Sequence, residues 1–196
     1  MTTTVDLEPA ARRVARLVDA TPDDALGRPT PCSEYTVADL LDHIAGSTLA
    51  FTAAARKDPP EGGPSGDGAR LPADWRTRIP RQLEELVDAW REPGAWTGTT
   101  AAGGVELPGE VAGVVALDEL VIHGWDLAKA IGQPAGYDGP GLDAVLGMVQ
   151  QFRDSGVEGL FGPEVPVPAN GPPLDRILGL AGRDPEWQPP TAASPP

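Results

Sequence analysis

The chain has 196 residues, enough for one domain with a proper core and too few for two ordinary ones. Its formal net charge of −14 argues against nucleic acid and anionic membrane surfaces as partners, and an acidic ligand would need a local basic site. Gly (24) and Pro (23) make up nearly a quarter of the chain, and they concentrate between periodic segments, as long loops around a helical core would require.

The N-terminus carries no basic region and no apolar run, so a signal peptide is not expected; a cytoplasmic protein is. Residues 6–20 read as a first helix, with Leu7, Ala10, Val14, Leu17 and Val18 at helical spacing and Arg12, Arg13 and Arg16 largely opposite. A Pro-rich loop with the single cysteine, Cys32, leads to a second helix that starts after Thr36, a good N-cap with Asp39 in its first turn, and runs to about residue 56. His43 lies at or beside its apolar face. Residues 58–71 read as a mobile loop. A third helix is expected over 72–91, kinked or split at Pro80, and a small hairpin over 95–107 around Gly103-Gly104. The fourth helix, 109–131, is apolar around most of its circumference, which marks a buried central helix that Gly132 and Pro134 stop. A fifth helix covers 140–154, a Gly/Pro-rich segment 156–172, a short last helix 173–182, and a disordered tail begins at 188. No run approaches the ~18 apolar residues of a membrane span. The expected fold is all-α: an antiparallel four-helix bundle with long loops, as one domain over 1–187.

The chain has only two histidines, His43 and His123. Glu119 precedes His123 by four residues, so the two share one helix face. A carboxylate on a mostly buried helix is costly unless paired, and this helix has no basic residue before Lys129. Two imidazoles and one carboxylate are a ligand set for a catalytic divalent metal with open positions. The spacing alone is common on solvated faces, and both histidines also fit ordinary core or surface positions. Asp126 and Asp39 are candidates to orient the ligand histidines from behind. Cys32 is either a reactive thiol beside a helix N-terminus or a small packed residue; Tyr35 and Trp96 either line the mouth of the site or belong to the core. The Gly-rich stretch 61–68 lacks the Lys-Ser/Thr of a phosphate loop, and no Gly-x-Ser-x-Gly elbow is present.

Residues 29–43, Pro-Thr-Pro-Cys-Ser-Glu-Tyr-Thr-Val-Ala-Asp-Leu-Leu-Asp-His, and 118–128, Asp-Glu-Leu-Val-Ile-His-Gly-Trp-Asp-Leu-Ala, resemble two signatures of the mycothiol-dependent maleylpyruvate isomerase family, which has a DinB-like four-helix bundle. Phe161-Gly-Pro-Glu-Val-Pro-Val-Pro168, followed by the stretch 175–185, is similar to the ending of an uncharacterised metal-binding branch. The resemblance covers about 7–187. It implies a divalent ion, zinc first and nickel second, held by His43, Glu119 and His123, and mycothiol as thiol cosubstrate. Tyr35 stands where the family usually has Trp. The implied function is a metal-dependent enzyme activating a low-molecular-weight thiol for transfer or isomerisation. The alternatives are a metal-binding module without thiol catalysis and a metal-assisted hydrolase. The expected partners are a small-molecule substrate and the thiol, on a monomer or homodimer.

Overall fold

A computed structural model describes residues 4–58, 66–156 and 161–190. Part of the loop expected at 58–71 and most of the tail expected from 188 lie outside the described residues. Among the described residues six α-helices follow in order: α1 (Glu8–Ala20), α2 (Val37–Ala55), α3 (Trp75–Arg91), α4 (Gly109–Ala130), α5 (Gly141–Asp154) and α6 (Pro173–Leu180). A two-stranded hairpin, β1 (Thr99–Ala102) and β2 (Val105–Pro108), stands before α4.

Local chemistry sets these bounds. α2 opens on a reciprocal capping box: the Asp39 amide donates to the Thr36 hydroxyl (3.3 Å), and the Thr36 amide donates to the Asp39 carboxylate (2.9 Å). In the hairpin, Ala102 faces Val105 across Gly103 and Gly104, both at positive φ (60° and 80°), as a two-residue turn that follows strand twist requires. The expected start of the hairpin at 95 is displaced. Pro93–Trp96 form a 3₁₀ turn instead, and Trp96 is buried edge-on against Trp90, its indole N–H bonding the Trp90 carbonyl. α3 continues through Pro80. It starts at Trp75 and not at Pro72, whose carbonyl accepts from the Trp75 amide in the turn before it.

The first four helices form a ring in which α1 and α2 each touch both α3 and α4. α1 and α3 are antiparallel: Arg91 pairs with Glu8 at one end, and Arg76 with Asp23 at the other. α2 and α4 are antiparallel too, with His43 beside His123 and Ser47 beside Glu119. The neighbours α2 and α3 run the same way. The Trp90 indole bonds the Phe51 carbonyl near their C-terminal ends, and Gly68, just ahead of α3, bonds Asp39 in the first turn of α2. Gly68 and the start of α3 therefore lie beside the first turn of α2, which is about 28 Å long at 1.5 Å per residue. α4 carries the core, with 17 of its 22 residues buried. α5 packs on α4, and α6 on α5. Among the described residues no helix is long and apolar enough to cross a membrane.

Candidate metal centre

His43 and Ser47 come from successive turns of α2; Glu119 and His123 come from successive turns of α4, which faces it. One ligand atom from each of His43, Glu119 and His123 lies within 4.8 Å of the others. His43 Nε2 is 3.1 Å and His123 Nε2 3.7 Å from the same carboxylate oxygen, Glu119 Oε2. The Ser47 hydroxyl donates to that oxygen at 3.0 Å. The two imidazoles meet edge-on, ring centres 4.6 Å apart, and the Tyr35 ring centre lies 5.4 Å from that of His43.

Burial alone would raise the Glu119 pKa. The hydrogen bond from His43, the positive potential of both histidines and the Ser47 hydroxyl outweigh it, holding Glu119 at about 2 and therefore ionised. Its side chain keeps 27% of its exposure against 11% for each histidine, so Glu119 is the most open of the three. Glu119 is thus more open than the sequence argument required. The fully buried carboxyls of α4 are its neighbours: Asp118, pushed up to about 8 by burial and then by the Glu119 charge, and Asp126, with no exposure at all.

Behind the cluster, His123 Nδ1 lies 3.1 Å from Asp126 Oδ2, which leaves Nε2 facing Glu119. Burial would lower the His123 pKa, but this hydrogen bond and the nearby carboxylates raise it. Asp126 also accepts from Arg183, from beyond α6. A cation therefore does reach α4, but it meets Asp126. Asp39 does not stand behind His43 in the same way. Its carboxylate is occupied by the Thr36 amide and hydroxyl and by the Gly68 amide (2.7 Å), because it caps α2 and anchors the segment before α3. Cys32 is half-buried near Arg183, and burial pushes its thiol up, which suits a packed residue better than a reactive one. Trp96 belongs to the core. Ser47 and Asp118 were not singled out from sequence, and Arg183 was noted only, with Arg176, as a basic residue of the C-terminal region. Ser47 had a signal, since it follows His43 by four residues as His123 follows Glu119. The pairing of Arg183 with Asp126 had none, because 57 residues separate them.

Chemically, two Nε2 atoms converging on one ionised carboxylate, with one ring steadied by a carboxylate behind it, form a donor set that suits a divalent ion of borderline softness. The fold and site together define a DinB-like helical bundle with a His/Glu/His cluster between two facing helices. Residues 7–128 match the family model for the mycothiol maleylpyruvate isomerase N-terminal domain, and the chain belongs to that family. Uncharacterised proteins from two strains of Mycobacterium tuberculosis are each 31% identical over 167 residues, covering 82% of this chain and 86% of theirs. The crystal structure of the mycothiol-dependent maleylpyruvate isomerase superposes with a TM-score of 0.60 at 17% identity, covering 79% of this chain and 71% of that one. A histidine-to-alanine mutant of the isomerase gives 0.58 at 16%. At these identities the likeness is one of fold.

Proposed function

We propose that His43, Glu119 and His123 hold a divalent metal ion, zinc first and nickel second, in an enzyme that activates a low-molecular-weight thiol of the mycothiol type for transfer or isomerisation. The observation that carries this reading is the convergence of the two Nε2 atoms on Glu119 Oε2, with Asp126 behind His123. When bound, a divalent ion on two neutral imidazoles and one carboxylate keeps one net positive charge, which favours an anionic ligand and eases loss of a thiol proton. The chain's own residues supply the rest. Glu119 is ionised and keeps part of its side chain exposed. Ser47 holds the carboxylate in place from within the bundle. Asp126 keeps the proton of His123 on Nδ1. Tyr35 covers the His43 ring, its hydroxyl held by the Gly66 amide at 3.2 Å. Membership of the isomerase family supports mycothiol as the thiol and a small molecule as the second substrate.

Elemental analysis of purified protein should find about one zinc or nickel ion per chain, lost in His43→Ala and His123→Ala. Cobalt substitution then makes the site visible, and titration with mycothiol or a simpler thiol should shift its absorbance. Protein that purifies metal-free and cannot be loaded defeats the whole reading. A loaded site whose spectrum ignores every thiol leaves a metal site but removes the thiol chemistry.

A further inference from the structure

The C-terminal segment is tied to the proposed centre through one residue. Ile177 and Leu178 of α6 are fully buried. The helix ends in a paired turn: the Gly182 amide donates to Gly179 and the Arg183 amide to Leu178 (2.8 Å). Gly182 takes φ +78°, and a Cβ there would meet the Gly162 backbone at 2.8 Å, so only glycine suits the position. That turn delivers Arg183 to the end of α4. Its Nη2 donates to Asp126 Oδ2 (3.1 Å) and its Nε towards Oδ1 (3.4 Å), a two-point grip on a carboxylate with no solvent exposure. Its Nη1 donates to the Ala181 carbonyl at 3.0 Å. Each guanidinium nitrogen has an acceptor within the protein and the side chain keeps only 14% of its exposure, so the residue is turned mainly inward on Asp126. Asp126 Oδ2 is the same oxygen that faces His123 Nδ1.

We propose that Arg183 is a positioning residue of the centre: by clamping Asp126 it fixes the His123 ring, with the proton on Nδ1 and Nε2 turned to Glu119. This rests on the metal reading above, and it makes the C-terminal segment, which lies past the family match ending at residue 128, part of the site. A buried carboxylate without its cation would rotate, take a proton or admit water, and His123 would lose its fixed acceptor.

The test compares the full-length wild type with Arg183→Gln and Arg183→Lys. With only two histidines in the chain, ring ¹⁵N signals are readily assigned. In metal-free protein with both rings neutral, wild-type His123 should be almost wholly the Nδ1–H tautomer, and Arg183→Gln should be a mixture. Cobalt affinity should fall about 10–100-fold in Arg183→Gln. Arg183→Lys keeps the charge without the two-point grip and should fall between. Should Arg183→Gln fail to fold, Arg183→Lys alone decides. Variants matching wild type in both tautomer and cobalt affinity overturn the proposal. Wild type that binds no cobalt defeats the metal reading instead, while the ring signals still report on the clamp.

Discussion

Ser47 is the residue whose placement says most about the cluster. Its hydroxyl sits 3.0 Å from Glu119 Oε2 and 3.2 Å from His43 Nε2, and it is buried. It can donate to only one of them, and Glu119 is the charged acceptor, so the bond to the carboxylate is the stronger. Removing it frees one oxygen of the proposed ligand without opening a large cavity. Ser47→Ala should weaken cobalt or zinc binding about tenfold or more, as loss of a group behind a metal ligand does. It should change unfolding free energy by only about 1 kcal/mol in chemical denaturation. A large loss of stability with unchanged metal affinity would make Ser47 a packing residue. His43, Glu119 and His123 were legible in the chain because helical periodicity places residues on faces, and a polar residue on an apolar face demands a reason. Asp126 was legible as a possible partner of His123 for the same reason. That Arg183 reaches Asp126 was not, since no local rule carries information across 57 residues of chain.

Helices α2 and α4 do the positioning, and their ends are chemically marked. The sequence places the start of α2 just after Thr36 and the span of α4 at 109–131; they run Val37–Ala55 and Gly109–Ala130. Caps and glycine stops are local signals, which is why these bounds agree so closely. The direction of one helix relative to another is not a local signal. That α2 and α3 run side by side in the same sense follows from contacts such as Trp90–Phe51 and Gly68–Asp39. Asp39 joins both facts, since it caps α2 and holds the chain on its way to α3. Thr36→Ala or Asp39→Ala should each cost about 1 kcal/mol, read as a shift in the urea midpoint. The Thr36 hydroxyl, then the Gly68 and Thr36 amides, lower the Asp39 pKa below its ordinary 3.8. A carboxyl lowered on folding contributes stability above its unfolded value, and that contribution fades as pH falls through the folded one. The gap between wild type and Asp39→Ala should therefore be full at pH 6 and shrink in strong acid, about pH 3 and below. A gap that persisted unchanged there would mean that Asp39 acts by packing.

Across the whole molecule, metal and proton should compete for one bundle. The ends of α2 and α4 that carry the cluster belong to different parts of the chain, so an ion held by both binds the folded state and not the unfolded one. At about a thousand times its dissociation constant such a ligand stabilises by about 4 kcal/mol. For a chain of this length that is a rise in melting temperature on the order of 8–16 °C. The rise should depend on pH, in a direction set by His123. Its folded pKa is raised above the ordinary 6.5, so in metal-free protein its protonation adds stability that is complete below the unfolded value and is lost as pH rises through the folded one. The ion needs the same nitrogen neutral, so metal stabilisation runs the other way, absent in acid and complete once His123 is deprotonated. Melting curves with and without zinc should lie far apart at about pH 8 and converge by about pH 5. The crossing range should sit higher than an ordinary histidine would give, because His123 holds its proton longer. Curves that coincide at every pH would mean that no ion bridges α2 and α4. Curves separated equally in acid and base would mean that the ion is held by other groups than His43 and His123.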